Sequence, residues 1–280
     1  MVITMKVFLW IILVVCILAA GVFGYFLFSE LIVDMQSQSF FDNMVAGVET
    51  RPRNWERGSG VTGNPSIELE EADYEHEPWI SFMDFDALNE QYPGVVGWIE
   101  LEDSPINFPI MQHPSNNTFF LNHLPDGTVN RSGSIYLDYR NENDFSDYSI
   151  FIYGHHFSRT DAMFSYLRNY RNQEFFDNNP IIYIYTPYAD YALVIFGAHL
   201  AHAFRDHPPL YFANDDEFYD YVRIVRGRSL VQTDVEVNAG DKIVSLVTCQ
   251  QDFADARLIV TGKLVRLGGI DTPNTSVITS

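Results

Sequence analysis

The chain has 280 residues, with 37 acidic and 17 basic side chains and a formal net charge of −20. Its 15% aromatic content excludes a wholly disordered polymer. The scarcity of Lys and Arg argues against a nucleic-acid partner, because basic side chains carry most of the affinity for phosphate backbones. Two cysteines, Cys16 and Cys249, are too few for a disulfide framework or a four-cysteine zinc site.

The segment 7–28 contains no charged side chain and predicts a single membrane-spanning helix. At about 1.5 Å per residue it crosses the roughly 30 Å of bilayer hydrocarbon. A signal peptide is the alternative, but its apolar region is shorter and ends at a small-residue cleavage site. Because Lys6 precedes the segment and Glu30 and Asp34 follow it, residues 1–6 are expected in the cytoplasm and the rest outside the cell membrane.

Two further regions follow the predicted anchor. Helical spacing of apolar residues over 29–48 predicts a stalk helix, whereas 49–78 contains prolines, glycines and an acidic run typical of a linker. Residues 29–78 are therefore predicted as stalk and linker, and residues 79–280 as the folded domain.

Short apolar runs separated by turn residues predict a mainly β domain, a closed barrel with a few inserted helices. The predicted strands are 95–101, 106–112, 134–137, 148–153, 181–185, 191–200, 242–248 and 258–265, and the predicted helices are 84–91, 161–170 and 215–226. Asn214 is the predicted N-cap of the last helix, and Gly227 is its predicted stop.

Cys249 lies where a strongly apolar run gives way to polar residues, which predicts a strand end that opens onto a loop. A buried structural thiol is one interpretation. A nucleophile is the other, and it needs a cationic or proton-accepting neighbour. Arg257 opens the next apolar run, so an antiparallel hairpin would bring it near Cys249; a solvated arginine after a turn is the alternative.

His155 and His156 follow Gly154 at the end of another apolar run. Imidazole suits proton transfer near neutral pH, and adjacent residues of an extended segment point to opposite faces, so at most one of the two is expected in a site. His199 and His202 also face opposite ways on a strand. A metal site is therefore not predicted.

Eight segments occur in the order found in one enzyme family. They are NEQYPGVVGWIE (89–100), INFPIMQ (106–112), NNTFFLNH (116–123), GSIYLDYRN (133–141), YGHH (153–156), EFFD (174–177), LVTC (246–249) and DARLIVTGK (255–263). Over about residues 85–267 the chain thus resembles class B sortases, membrane-anchored cysteine transpeptidases of Gram-positive bacteria. The resemblance implies a closed sortase-type β-barrel.

Carried over by motif, the resemblance implies that Cys249 is the nucleophile, His155 the acid/base, and Arg257 the residue that holds the oxyanion or positions the substrate. The family pattern before the nucleophile is Thr-Leu-x-Thr-Cys. This chain has Ser245 at the first position, which retains a hydroxyl, and Val247 at x, where class B members often have serine. The valine removes any substrate hydrogen bond that such a serine would make.

The implied reaction needs neither a metal nor an organic cofactor. The thiol attacks a threonine-type residue in the C-terminal sorting motif of a secreted protein, and the thioester is passed to an amine of a cell-wall precursor or, alternatively, to a pilin lysine. The predicted substrate-binding residues are Leu210, Tyr211 and Ser229 in the region 202–235, and Leu246, Val247 and Thr248 beside the nucleophile.

Two other classes of function remain open on the sequence. A membrane-tethered binding barrel would keep the fold without using the thiol. A cysteine hydrolase would use water as the acceptor, and only an added amine separates it from a transpeptidase.

Overall fold

The computed structural model describes residues 2–48, 50, 81–203, 205–206, 208–249, 252 and 254–269. Except for Thr50, the linker predicted over 49–78 lies outside the described residues. The chain forms two compact units, Met1–Asn43 and Met44–Ser280.

Helix α1 (Val2–Gly47) is continuous through the predicted anchor and most of the predicted stalk. Its segment Val7–Tyr25 is long and apolar enough to cross a membrane, and its side chains are not buried within the protein. A single helix therefore replaces the expected division into anchor and stalk helices.

The second unit is a closed eight-stranded barrel, so the predicted mainly β class is confirmed. The strands are β1 (Val95–Glu100), β2 (Asn107–Met111), β3 (Ile135–Leu137), β4 (Ser149–Gly154), β5 (Ile181–Tyr185), β6 (Ala189–His202), β7 (Lys242–Cys249) and β8 (Ala256–Gly269). Their order around the barrel is β1-β2-β3-β4-β7-β8-β6-β5. All eight predicted strands are present, and β6 and β8 are longer than predicted because they pair with each other along their whole length.

Short helices connect the strands. They are α2 (Phe85–Gln91), the 3-10 helices η1 (Phe119–Leu121) and η2 (Met163–Arg171), α3 (Gln173–Asn178) and α4 (Asp215–Arg228). The helix predicted at 161–170 is wrong in type, because a 3-10 helix occupies this region. Asn172 ends it in an extended conformation, and the Asn172 side chain accepts a hydrogen bond from the Phe175 N–H at the start of α3.

Helix α4 begins as predicted, since the Asn214 side chain accepts a hydrogen bond from the Glu217 N–H at 3.0 Å. The predicted stop at Gly227 is wrong: Gly227 lies within the last turn, and Ser229 is the C-cap residue. Gly227 lacks the positive φ that lets a glycine end a helix.

Helix α4 packs on the outer face of the barrel through four buried side chains: Phe218, Tyr221, Val222 and Val225. The Tyr221 hydroxyl lies 3.2 Å from the hydroxyl of Ser245 on β7. Where α4 crosses β6, the strand contains a register shift between Ile195 and Gly197.

Replacing Gly197 with alanine is expected to destabilise this packing. The new Cβ would lie 2.6 Å from the Val225 Cγ1, so α4 would have to move away from β6. We expect Gly197→Ala to lower the free energy of unfolding by about 1–3 kcal/mol, measured by urea denaturation in detergent micelles. Gly227→Ala is the control, since its Cβ meets nothing within 4 Å and alanine favours helix. Equal stability of the two variants would contradict close packing at Gly197.

One buried histidine makes the stability of this unit depend on pH. His199 on β6 is paired with Ile259, is 3% exposed, and its Nδ1 has no hydrogen-bond partner among the described residues. Burial lowers the pKa of His199 to about 4; Arg228 lowers the pKa further and Asp206 opposes this change. The folded state therefore favours the neutral ring.

The stabilising contribution of neutral His199 is present above the unfolded-state pKa of about 6.5 and is lost as the pH falls to about 4. This loss amounts to about 3 kcal/mol between pH 7 and pH 4. His199→Gln, which cannot be protonated in this range, is expected to flatten that part of the stability profile in urea titrations. An unchanged slope in the variant would show that other groups cause it.

Candidate active site

Three adjacent strands bring the predicted catalytic residues to one end of the barrel. β4 and β7 are parallel, with Gly154 opposite Thr248, so His155 and Cys249 each come directly after a paired position. β7 and β8 are antiparallel, and Cys249 is paired with Arg257. Directly paired residues have Cα atoms about 4.5–5.5 Å apart. The predicted hairpin is thus present, and the backbone of all three residues lies at the same end of β4, β7 and β8.

An apolar strip runs across the sheet next to this end. It consists of one buried side chain from each of four neighbouring strands: Phe151, Val247, Ile259 and Ala201. Two partly buried side chains, Tyr153 and Leu210, pack against the strip. Leu210 belongs to the connection between β6 and α4, so the strip lies on the face of the barrel that this connection covers. Such a strip can hold the side chains of an extended peptide.

The ring of His155 is oriented by a backbone carbonyl. His155 Nε2 lies 2.5 Å from the carbonyl oxygen of Leu121 in η1. A carbonyl oxygen only accepts, so Nε2 carries the hydrogen in this arrangement and Nδ1 is the basic atom of the neutral ring. The main chain of Leu121 was not identified from the sequence, because a carbonyl partner leaves no side-chain signal.

Two glycines allow this arrangement. Gly133 has a φ of +57°, and a Cβ there would lie 2.6 Å from the Leu121 carbonyl oxygen. At Gly154, a Cβ would overlap the Ile135 side chain and lie 2.7 Å from the ring of Phe164. Both motifs that contain these glycines, GSIYLDYRN and YGHH, therefore owe them to close packing around His155.

Arg257 is half-buried at the start of β8. Its Nη1 donates a hydrogen bond to the carbonyl oxygen of Ala256 at 3.0 Å. Asp255, two residues before it, has a φ of +58°, which turns the chain sharply into the strand. The guanidinium is held by its own backbone and keeps its charge, as an oxyanion-holding group requires.

The second histidine has a different environment. His156 is half-buried, and burial lowers its pKa; Arg168 lowers the pKa further, while Asp252 opposes this change. Among the described residues, no group of three or more His, Cys, Asp or Glu side chains is arranged to hold a metal ion.

A buried carboxylate braces the strands beneath the site. Asp138 accepts two hydrogen bonds from the Arg140 guanidinium, at 2.9 and 2.7 Å, and one from the Tyr153 hydroxyl at 3.2 Å. Burial acts to raise the pKa of Asp138, but the hydrogen bonds from Arg140 and Asn117 outweigh burial and lower it. Burial and the charge of Asp138 raise the pKa of Tyr153, so this tyrosine stays a neutral donor.

The three predicted substrate-binding residues of β7 differ in position. Leu246 and Thr248 are 0% and 1% exposed, so any influence of theirs on substrate binding acts through packing within the barrel. Val247, by contrast, is part of the apolar strip.

The other three predicted substrate-binding residues also differ. Leu210 packs on the apolar strip and Tyr211 is 73% exposed. The Ser229 hydroxyl accepts a hydrogen bond from the Ala198 N–H at 3.2 Å and donates one to the Val231 carbonyl at 2.7 Å. Ser229 thereby joins the end of α4 to β6, and its role toward a substrate stays a prediction.

Known proteins resemble the chain in both sequence and fold. The family model described as the Sortase domain matches residues 99–265. Sortase B of Listeria monocytogenes is 32% identical over 184 residues, which cover 65% of this chain and 73% of that protein. Sortase B of Staphylococcus aureus is 29% identical over 185 residues, covering 65% and 75%.

Solved structures agree with this assignment. Sortase B from Bacillus anthracis in complex with AAEK1 superposes with a TM-score of 0.67 at 26% identity, covering 84% of this chain and 99% of that chain. The Staphylococcus aureus sortase B–substrate complex gives a TM-score of 0.62 at 28% identity, covering 66% and 85%. The chain belongs to the sortase family of cysteine transpeptidases, and its relatives place it in class B.

Proposed function

We propose that the protein cleaves a C-terminal sorting motif of secreted proteins and passes the acyl group to an amine of a cell-wall precursor. In the first step, the sulfur of Cys249 attacks the carbonyl carbon of a threonine-type residue, forming a C–S bond. The C–N bond of the next peptide unit breaks, and the protonated imidazole of His155 gives its proton to the leaving amine. A thioester acyl-enzyme remains.

In the second step, the acceptor amine attacks the thioester carbonyl. Neutral His155 takes the proton from this amine, a new amide C–N bond forms, and the thiolate of Cys249 leaves. Arg257 stabilises the negative charge on the carbonyl oxygen in both steps, because its guanidinium donates hydrogen bonds without losing its charge.

The observation that carries the proposal is the strand register. Gly154 opposite Thr248 and Cys249 opposite Arg257 place residues 155, 249 and 257 at one end of three neighbouring strands, although they are far apart in sequence. Two Staphylococcus aureus sortase B structures, a substrate complex and a triglycine complex, support a peptide donor and a glycine-type amine acceptor.

The hydrogen bond from His155 Nε2 to Leu121 suggests which nitrogen moves the proton. Since Nε2 is engaged by the carbonyl, we assign proton exchange with the leaving and attacking amines to Nδ1.

We also propose that α1 anchors the protein in the cell membrane with residues 1–6 in the cytoplasm. The support is the apolar segment Val7–Tyr25, preceded by Lys6 and followed by acidic residues. The barrel is then outside the cell, where secreted proteins and cell-wall precursors are found.

Replacing any of the three proposed catalytic residues is expected to reduce peptide cleavage strongly. Cys249→Ala removes the bond-forming atom and should abolish turnover. His155→Ala should cost about 10²–10⁴-fold and Arg257→Ala about 10²–10³-fold in kcat/KM. The measurement is cleavage of a library of fluorogenic threonine-containing peptides by the full-length protein in detergent micelles.

Cys16→Ala is the matched control for the thiol, because Cys16 is the other cysteine and lies in the apolar part of α1. Full activity in any of the three variants would remove that residue from the mechanism. Mass spectrometry with triglycine or a lysine-containing peptide as acceptor identifies the second substrate. A product formed only with lysine would favour the alternative, pilin polymerisation, and release of free acid alone would indicate a hydrolase.

The connection between β6 and α4 is proposed to contact the peptide through Leu210 and Tyr211. Tyr211→Ala removes a ring that is 73% exposed, so loss of its contact is expected to raise KM about fivefold with kcat little changed. Tyr148→Ala is the control: Tyr148 is 56% exposed and precedes β4, at the other end of the strand from His155. Equal KM values for both variants would show that Tyr211 does not touch the peptide.

A further inference from the structure

The 3-10 helix η2 contacts the loop that begins with His155. The Phe164 N–H donates to the carbonyl oxygen of His155 at 3.0 Å, and the Phe157 N–H donates to the Ser165 hydroxyl at 2.7 Å. Phe164 and Ser165 are fully buried, so the N-terminal part of η2 is fixed in the core. The position of the His155 backbone therefore depends on η2.

The other end of η2 contacts the chain that connects the nucleophile with the arginine. The Arg171 guanidinium donates two hydrogen bonds to Asp252, Nη1 to Oδ2 at 3.1 Å and Nη2 to Oδ1 at 2.8 Å. Asp252 is three residues after Cys249 and five before Arg257. A two-pronged pair of this kind fixes direction as well as distance. One helix thus contacts both segments that carry the proposed catalytic groups.

The geometry also excludes one role for Asp252. An acidic residue soon after a nucleophilic cysteine is a natural candidate for a third catalytic group that orients the histidine. Both carboxylate oxygens of Asp252, however, accept hydrogen bonds from Arg171. The carboxylate is thereby engaged in holding its own segment.

A second contact holds the far end of the same connection. The Ala203 N–H, just after β6, donates to the carbonyl oxygen of Asp255 at 3.0 Å. The connection is thus attached to β6 near Arg257 and to η2 near Cys249. Removing the Arg171–Asp252 pair would leave the Cys249 side with less restraint than the Arg257 side.

We propose that Arg171 is a positioning residue for acyl transfer: through Asp252, it sets the placement of Cys249 relative to His155. This inference rests on the proposed roles of those two residues. The side chains of Arg171 and Asp252 are 38% and 28% exposed, and such pairs add little to the stability of the whole fold. Displacement of reacting groups by about 1 Å, in contrast, can lower a rate about a hundredfold. Loss of the pair should therefore affect turnover more than folding.

The experiment compares Arg171→Met, Asp252→Asn, the double variant and Arg171→Lys with the wild type, as full-length proteins in detergent micelles. Each single loss is expected to lower kcat about tenfold and leave KM within about twofold, with Tm changed by no more than about 2 °C. The double variant should equal the single ones, because both remove one interaction. Arg171→Lys, which keeps the charge but not the two-pronged geometry, should be intermediate.

The matched control is the Arg223–Asp220 pair on α4, a 2.7 Å ion pair with side chains 74% and 61% exposed. Arg223→Met is expected to keep the wild-type kcat. Wild-type kcat in Arg171→Met, or losses that add up in the double variant, would overturn the proposal.

A second measurement needs no peptide substrate. Alkylation of Cys249 by iodoacetamide, in a Cys16→Ala background, is expected to slow about threefold in Asp252→Asn, because thiol reactivity depends on the groups placed beside it. An unchanged alkylation rate would overturn the inference. A wild-type protein that forms no acyl-enzyme with any peptide would instead contradict the proposed function, and the alkylation result would still decide on Arg171.

Discussion

The register of β7 is the constraint on which the site depends. β7 is parallel to β4 on one side and antiparallel to β8 on the other, so one strand sets the positions of residues 155 and 257 relative to 249. A slip by one residue would exchange the two faces of β7. Ser245 opposes such a slip, because its hydroxyl meets the Tyr221 hydroxyl on the outer face and would otherwise enter the apolar interior. The hydroxyl at this position of the family motif thus has a structural explanation.

The sequence predicts the parts of the site that depend on local pattern. The strand end at Cys249 and the start of β8 at Arg257 follow from apolar runs and a short turn, and the hairpin between them is present. The parallel pairing of β4 and β7 has no local signal, since these strands are separated by three helices and two strands; only the family resemblance brought His155 into the site. Leu121 acts through its main chain and Arg171 through a partner 81 residues away, so neither is visible in a motif.

The connection between β6 and β7 has two parts with different restraints. α4 is fixed by its buried face, by Tyr221, and by Ser229 at its end, close to Gly197. The segment before α4 is attached more lightly: the Pro209 carbonyl accepts from the Ser149 hydroxyl at 2.6 Å, and Tyr211 is largely exposed. Side chains in this segment can therefore change what the apolar strip accepts without changing the strand register. This separation suits a family in which one barrel serves several peptide motifs.

The ends of the strands need support that the sheet does not give. Ladder hydrogen bonds stop at Gly154 and Cys249, and the proposed acid/base comes one residue later. Beyond that point the position of a backbone is set by whatever contacts it. Here η1 supplies a carbonyl to the His155 ring, and η2 donates a backbone N–H to the His155 carbonyl. Because 3-10 helices are short and poorly stabilised on their own, both depend on packing against the barrel. The same core that closes the barrel therefore also fixes the groups that lie outside its strands.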